Sequence, residues 1–229
     1  MSKLTTDSVK VGGGMSKTLL PGNESCKING IELKPFTFKP GGYHMIIYLE
    51  SPDKGIDFEG FWINKDDESK GRYKGQIGQV KTNYWAYSDG ETKGGTPIVR
   101  DAEILKTIKG LAIALGIQDS LKAFEAKYNN LDTIEEYITA LNLENPFKDK
   151  FMQYCIAGKE YTNKGGYTAY DLYLPKFEKT GVPYGTSRVL KFDEEKHIVK
   201  TKVVIVDEFA PTNDEIPSGI APENTDLIL

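Results

Sequence analysis

The fold is decided between residues 151 and 176. The run FMQYCIAGKEYT (151–162) leads into the turn NKGG (163–166), and YTAYDLYLPK (167–176) follows. Two strand-forming stretches separated by four residues of Gly- and Asn-containing turn chemistry predict a β-hairpin. Met152, Tyr154 and Ile156 alternate with Gln153, Cys155 and Ala157, and Tyr170, Leu172 and Leu174 alternate with Asp171 and Tyr173. Period two directs one face to a core. The other face would carry Lys159, Tyr161, Tyr173 and Lys176, with Lys164 and Tyr167 at the turn.

Working outward from this hairpin, the same period recurs. YHMIIYLE (43–50) is bounded by Pro40-Gly41-Gly42 and Ser51-Pro52-Asp53, and residues 24–33 alternate more weakly. Residues 56–63 predict a neighbouring strand with Gly60 as a bulge, and 188–192 and 203–209 two late strands. Between the β stretches the period changes. Ile104, Leu105, Ile108, Leu111, Ala112 and Leu115 recur at helical spacing, and Gly116 is placed to end the helix. Leu121, Phe124 and Tyr128 fit a second short helix, and Asp132-Thr133-Ile134-Glu135 reads as a capping box opening a third, which Asn145-Pro146 stops. The expected class is mainly β with an α insertion (α+β): one domain at 21–206, interrupted by helices at 99–146. Short strands in this number suit a small, strongly curved barrel better than a sandwich.

The two ends read differently. Residues 1–20, with Gly12-Gly13-Gly14 as a joint, predict a flexible arm. Residues 207–229 hold six acids and no Lys or Arg, so a net charge of −4 divides into about +2 for the rest of the chain and −6 for this segment. It is too polar to form a core and is expected to be disordered. Its apolar Leu227-Ile228-Leu229, with Asp226, makes a candidate partner-binding peptide.

Several kinds of chemistry find no support. The two histidines, His44 and His197, are isolated and read as structural, and no Cys/His cluster has metal spacing. The stretch from Gly12 to Thr18 fails as a phosphate loop, because Val11 stands at the opening glycine position and Ser16 precedes the lysine. We therefore expect no catalytic residues, metal or cofactor. No apolar run is long enough for a membrane span or a secretory signal, and Cys26 and Cys155 sit far apart in strand patterns as buried thiols, which reads as cytoplasmic.

What the chain does carry is aromatic residues interleaved with bases. Besides the hairpin set, one group comprises Trp62, Lys65, Lys70, Arg72, Tyr73 and Lys74, and another Lys81, Tyr84, Trp85 and Tyr87. Rings stack on any base while Lys and Arg follow the phosphates, a sequence-tolerant way to hold single-stranded nucleic acid. The bland alternative is that these are ordinary strand residues, many of them packed. The competing functional class is a structural or protein-interaction module whose exposed rings bind proteins; a homo-oligomer stays open under either.

The hairpin from Cys155 to Phe177 resembles that of phage OB-fold single-stranded-DNA-binding proteins, most of all those of crAss-like phages. Phe38-Lys39-Pro40-Gly41-Gly42-Tyr43 and Gly71-Arg72-Tyr73-Lys74-Gly75-Gln76 extend the likeness over most of the chain. The resemblance implies a five-stranded antiparallel OB barrel, a role in phage DNA replication and recombination within the bacterial host cytoplasm, and an acidic C-terminal tail that recruits replication proteins. The chain departs from the pattern in ending on Leu-Ile-Leu where many such proteins have an aromatic residue.

Overall fold

The structure, a computed structural model, describes residues 18–51 and 76–200. The expected strands at 56–63 and 203–209, residues 1–17 of the expected arm, the basic and aromatic group at 62–74 and the acidic segment 207–229 lie outside the described residues.

The architecture is mixed α+β. Strands β1 (Gly22–Pro35), β2 (Tyr43–Glu50) and β3 (Ile77–Lys81) come first, followed by a small two-stranded ribbon, β4 (Gly90–Glu91) and β5 (Pro97–Ile98). Helices α1 (Arg100–Ala114), α2 (Gln118–Lys127) and α3 (Ile134–Glu144) follow, and then β6 (Phe151–Thr162) and β7 (Thr168–Tyr173). Two short strands, β8 (Val182–Pro183) and β9 (Ile198–Val199), flank the four-residue helix α4 (Glu194–His197).

Five strands are hydrogen-bonded in a ring, in the order β1-β2-β3-β7-β6 and back to β1. Four of the five contacts are antiparallel, but β3 and β7 run parallel, with Val80 opposite Leu172 and Lys81 opposite Tyr173. This corrects the expectation of wholly antiparallel pairing, and the reason is arithmetic. Strand direction cannot alternate all the way round a ring with an odd number of members, so one adjacent pair must agree.

β1 makes closure possible by pairing over Gly22–Lys27 with β6 and over Lys27–Pro35 with β2. The register with β2 slips between Ile28 and Gly30, leaving Asn29 as the extra residue of a bulge that bends the strand. The bulge is held from α3. Asn142 accepts from the Ile31 amide at 2.8 Å and donates to the Ile31 carbonyl at 2.6 Å, so neither backbone group is left unpaired. Where β6 passes from β1 to β7 the chains lie very close. A Cβ at Gly158 would fall 2.6 Å from Pro21 Cγ and 3.1 Å from the Tyr170 ring, so only glycine fits there.

The helices share their core with the ring. Ile104, Ile108, Leu111 and Leu141 form one buried cluster with Met45, Ile47, Val80, Met152 and Leu172. Gly116, at φ 66°, follows the last turn of α1 as anticipated. The third helix begins one residue later than its sequence suggests. Thr133 caps it by accepting from the Glu136 amide, while the Glu136 carboxylate takes the Thr133 amide, so the box is Thr133–Glu136.

Other expectations are corrected. Residues 188–192 form no strand; they are irregular, and the Phe192 amide and the Leu190 carbonyl are both bound by the Asn23 side chain. β7 ends at Tyr173, short of Lys176. β6 is buried on both faces from Tyr154 to Gly158, and the short strands β8 and β9 pair along its edges at Met152–Gln153 and Gly158–Lys159. Cys26 and Cys155 are buried free thiols. Burial pushes the Cys155 thiol up to about 12 and raises Cys26 well above its ordinary range, so both stay protonated.

Candidate nucleic-acid interface

On one face of the ring the register brings together side chains from three strands, β3, β7 and β6. Residues opposite one another in a sheet share a face, so Lys81 and Tyr173, Ala157 and Tyr173, and Lys159 and Asp171 project the same way. Of these, Lys81, Lys159, Asp171 and Tyr173 floor a trough of about 420 Å³, within the ~300–1,000 Å³ typical of ligand clefts.

Two aromatic walls rise from that floor. One is the β1–β2 turn, where Phe36 packs edge-on against Phe38 at 5.8 Å and His44 at 5.1 Å. The other follows β3, where Tyr84 stands edge-on to Trp85 at 5.1 Å and to Tyr173 at 4.9 Å. Phe38 is 89% exposed and Trp85 71%, so each wall ends in a ring with a free face.

The walls are fixed to each other. Tyr43 and Tyr87 exchange two backbone hydrogen bonds, 2.9 and 2.7 Å, which tie the turn's base to the segment bearing Tyr84 and Trp85. The turn is closed by the Phe36 amide donating to the Gly42 carbonyl at 2.8 Å, and Arg100 at the start of α1 donates to the Gly41 carbonyl at 2.7 Å. Tyr87 itself is buried, and its hydroxyl sits 3.0 Å from Thr82 Oγ1 and 3.1 Å from Thr107 Oγ1. It is a core residue, not one of the exposed rings with which its sequence neighbours grouped it.

The electrostatics of the trough are mildly cationic. Lys81 pairs with Asp171 at 2.5 Å, and Lys159 is exposed with no acidic partner among the described residues. Burial, followed by the nearby Lys81 charge, lowers the His44 pKa, so its ring is neutral at pH 7 and meets Phe36 edge-on as an uncharged aromatic. Burial raises the Tyr173 phenol, which stays un-ionised.

Of the candidates named from sequence, Lys81, Tyr84, Trp85, Lys159 and Tyr173 line this trough. Tyr161 lies on the same face but lines an adjoining depression with Gln79 and Tyr170. Lys164 and Tyr167 are exposed at the hairpin tip, and Lys176 is exposed beyond β7 with its ammonium over the Phe177 ring. Trp62, Lys70, Arg72, Tyr73 and Lys74, like Asp226, Leu227, Ile228 and Leu229, lie outside the described residues. Sequence reasoning missed Phe36, Phe38, His44 and Asp171 as trough residues. A signal was present: Phe36 and Phe38 alternate immediately before a Pro-Gly-Gly turn, which sets two rings on one side of a strand end.

No group of three or more His, Cys, Asp or Glu placed to hold a metal occurs among the described residues, and no helix among them is long and apolar enough to cross a membrane. Comparison of the chain with protein-family models, curated proteins and solved structures gives no match.

Proposed function

We propose that this chain binds single-stranded DNA, with little sequence preference, in the trough between Phe38 and Trp85. The observation that carries the reading is the pairing of two rigid aromatic walls with a lysine-bearing floor on one face of a strand ring. Rings with a free face stack any base, at roughly 1–3 kcal/mol per base, and Lys81 and Lys159 lie where a backbone phosphate would pass. The five-membered ring with its single parallel pair is read as an OB-like barrel, and the helices as an elaboration between its third and fourth strands. A role in phage DNA replication and recombination follows from the resemblance, with the acidic 207–229 segment recruiting partner proteins.

A protein-interaction module is the second reading, favoured by the exposure of Phe38 and Trp85, since an apolar peptide side chain would also fit between them. Salt separates the two. Fluorescence anisotropy with labelled single- and double-stranded oligonucleotides at two salt concentrations should show preference for single strands and affinity that falls with salt through counterion release. Trp85→Ala should weaken single-strand binding by about one stack, five- to a hundredfold. Equal affinity for duplex, or Trp85→Ala binding like the parent, would overturn the proposal.

A further inference from the structure

On the helical side of the molecule, α1 and α2 border an open groove of about 1100 Å³. Its apolar wall is unusual for a helix surface. Leu105 and Ile113, two turns apart on α1, are 38% and 52% exposed and face Leu121 and Tyr128. Lysines line its margin at 106, 109 and 122. Lys106 and Lys122 make only long, exposed pairs at 3.4 Å with Glu103 and Asp119, and Lys109 has no acidic partner among the described residues. Two acids also line the groove: Asp119, in the long pair with Lys122, and Glu125, already engaged by the Tyr137 hydroxyl at 2.9 Å.

We propose that this groove is the docking site of the chain's own segment Glu223–Leu229. The segment has the complementary order of chemistry, acids at 223 and 226 and then Leu227-Ile228-Leu229. The apolar tripeptide would cover Leu105 and Ile113, with Asp226 and Glu223 against the lysines. Affinity favours a tethered occupant over a separate protein. Two half-exposed anchors hold a free peptide weakly, but a tethered segment has an effective concentration near millimolar. Reach is sufficient: 22 residues separate Lys200 from Glu223, a contour of up to about 75 Å, against a radius of gyration near ~17 Å for a chain of this length. Docking there would keep Leu227-Ile228-Leu229 covered until a competing partner displaces it. The proposal does not depend on DNA binding.

The test uses the full chain carrying Ile113→Cys with Ile228→Cys, and as reference Ile113→Cys with Ser218→Cys. The native thiols at 26 and 155 are buried and protonated, so they stay silent. Under diamide, the 113–228 pair should close at least tenfold faster than the 113–218 pair, as an intrachain product at a rate independent of protein concentration. Adding Lys106→Glu and Lys109→Glu should slow that closure severalfold. Ile113 is half-exposed, so folding should survive, and a matching circular-dichroism melt verifies it. Equal rates for the two pairs, indifference to the charge reversal, or disulfide-linked dimers as the sole product would overturn the proposal, the last pointing to a second copy as occupant.

Discussion

Tyr87→Phe tests whether the trough is preorganised as its bonds imply. The substitution keeps the ring and removes one hydroxyl, which joins Thr82 on the strand side at 3.0 Å to Thr107 on α1 at 3.1 Å. Neither threonine is stranded by the change. Thr82 Oγ1 retains the Met45 carbonyl at 3.3 Å and Thr107 Oγ1 the Glu103 carbonyl at 3.0 Å. With both threonine O–H groups given to those carbonyls, the single Tyr87 O–H can donate to only one of the two, so the loss is one net hydrogen bond without an added penalty for an orphaned group, or about 0.5–1.5 kcal/mol. For a domain of this size that lowers Tm by roughly 1–6 °C. Tyr87→Ala removes the buried ring as well and should fall by about 3–5 kcal/mol. Urea unfolding followed by circular dichroism and by tryptophan fluorescence gives both numbers, and in a Trp62→Phe background the fluorescence of Trp85 reports the wall directly. Since the backbone bridge between Tyr43 and Tyr87 survives in the Phe variant, its single-strand affinity should fall less than that of Trp85→Ala. A Phe variant as stable as the parent, or as damaged as the Ala variant, would refute this account of how the wall is held.

Three further outcomes are expected. Tyr173→Ala should weaken single-strand binding by about one stack, roughly 1–3 kcal/mol, and lower stability through its lost contact with Tyr84, whereas Tyr161→Ala, half-exposed beyond the trough, should weaken long but not short oligonucleotides and leave the melt unchanged; normal binding by both would place the site elsewhere. Glu178 is buried with Oε1 unpartnered among the described residues, and burial raises its pKa; a carboxyl raised in the folded state contributes stability below its unfolded pKa, near ~4.3, that is lost as pH rises through the folded value. Glu178→Gln should therefore gain on the parent as pH rises from 4 to 7, and a gap in stability that stays constant over that range would contradict the burial argument. Gly158→Ala, whose Cβ would meet Pro21 and Tyr170, should lose about 1–3 kcal/mol by overpacking, read as a lower urea midpoint, and an unchanged midpoint would show that Pro21 can yield.

Residue order alone determined the local pieces. The period-two runs at 43–50 and 151–162, the Asn-Lys-Gly-Gly turn and the helical spacing from Ile104 to Leu115 each correspond to an element within a few residues, because each is set by near neighbours. Errors arose where a local pattern met a tertiary competitor. Residues 188–192 have strand composition, yet Asn23, 165 or more positions earlier, takes their backbone groups and no ladder forms. Tyr87 reads like Tyr84 and Trp85, but α1 covers it. The trough itself is a product of register: Lys81, Asp171, Lys159 and Tyr173 share one floor only because β7 lies parallel to β3 and antiparallel to β6. Sequence supplied the alternation that gives each strand two faces. Which strands became neighbours, and so which rings and charges met, was decided by closing five strands into a ring, a long-range condition that no local window of residues contains.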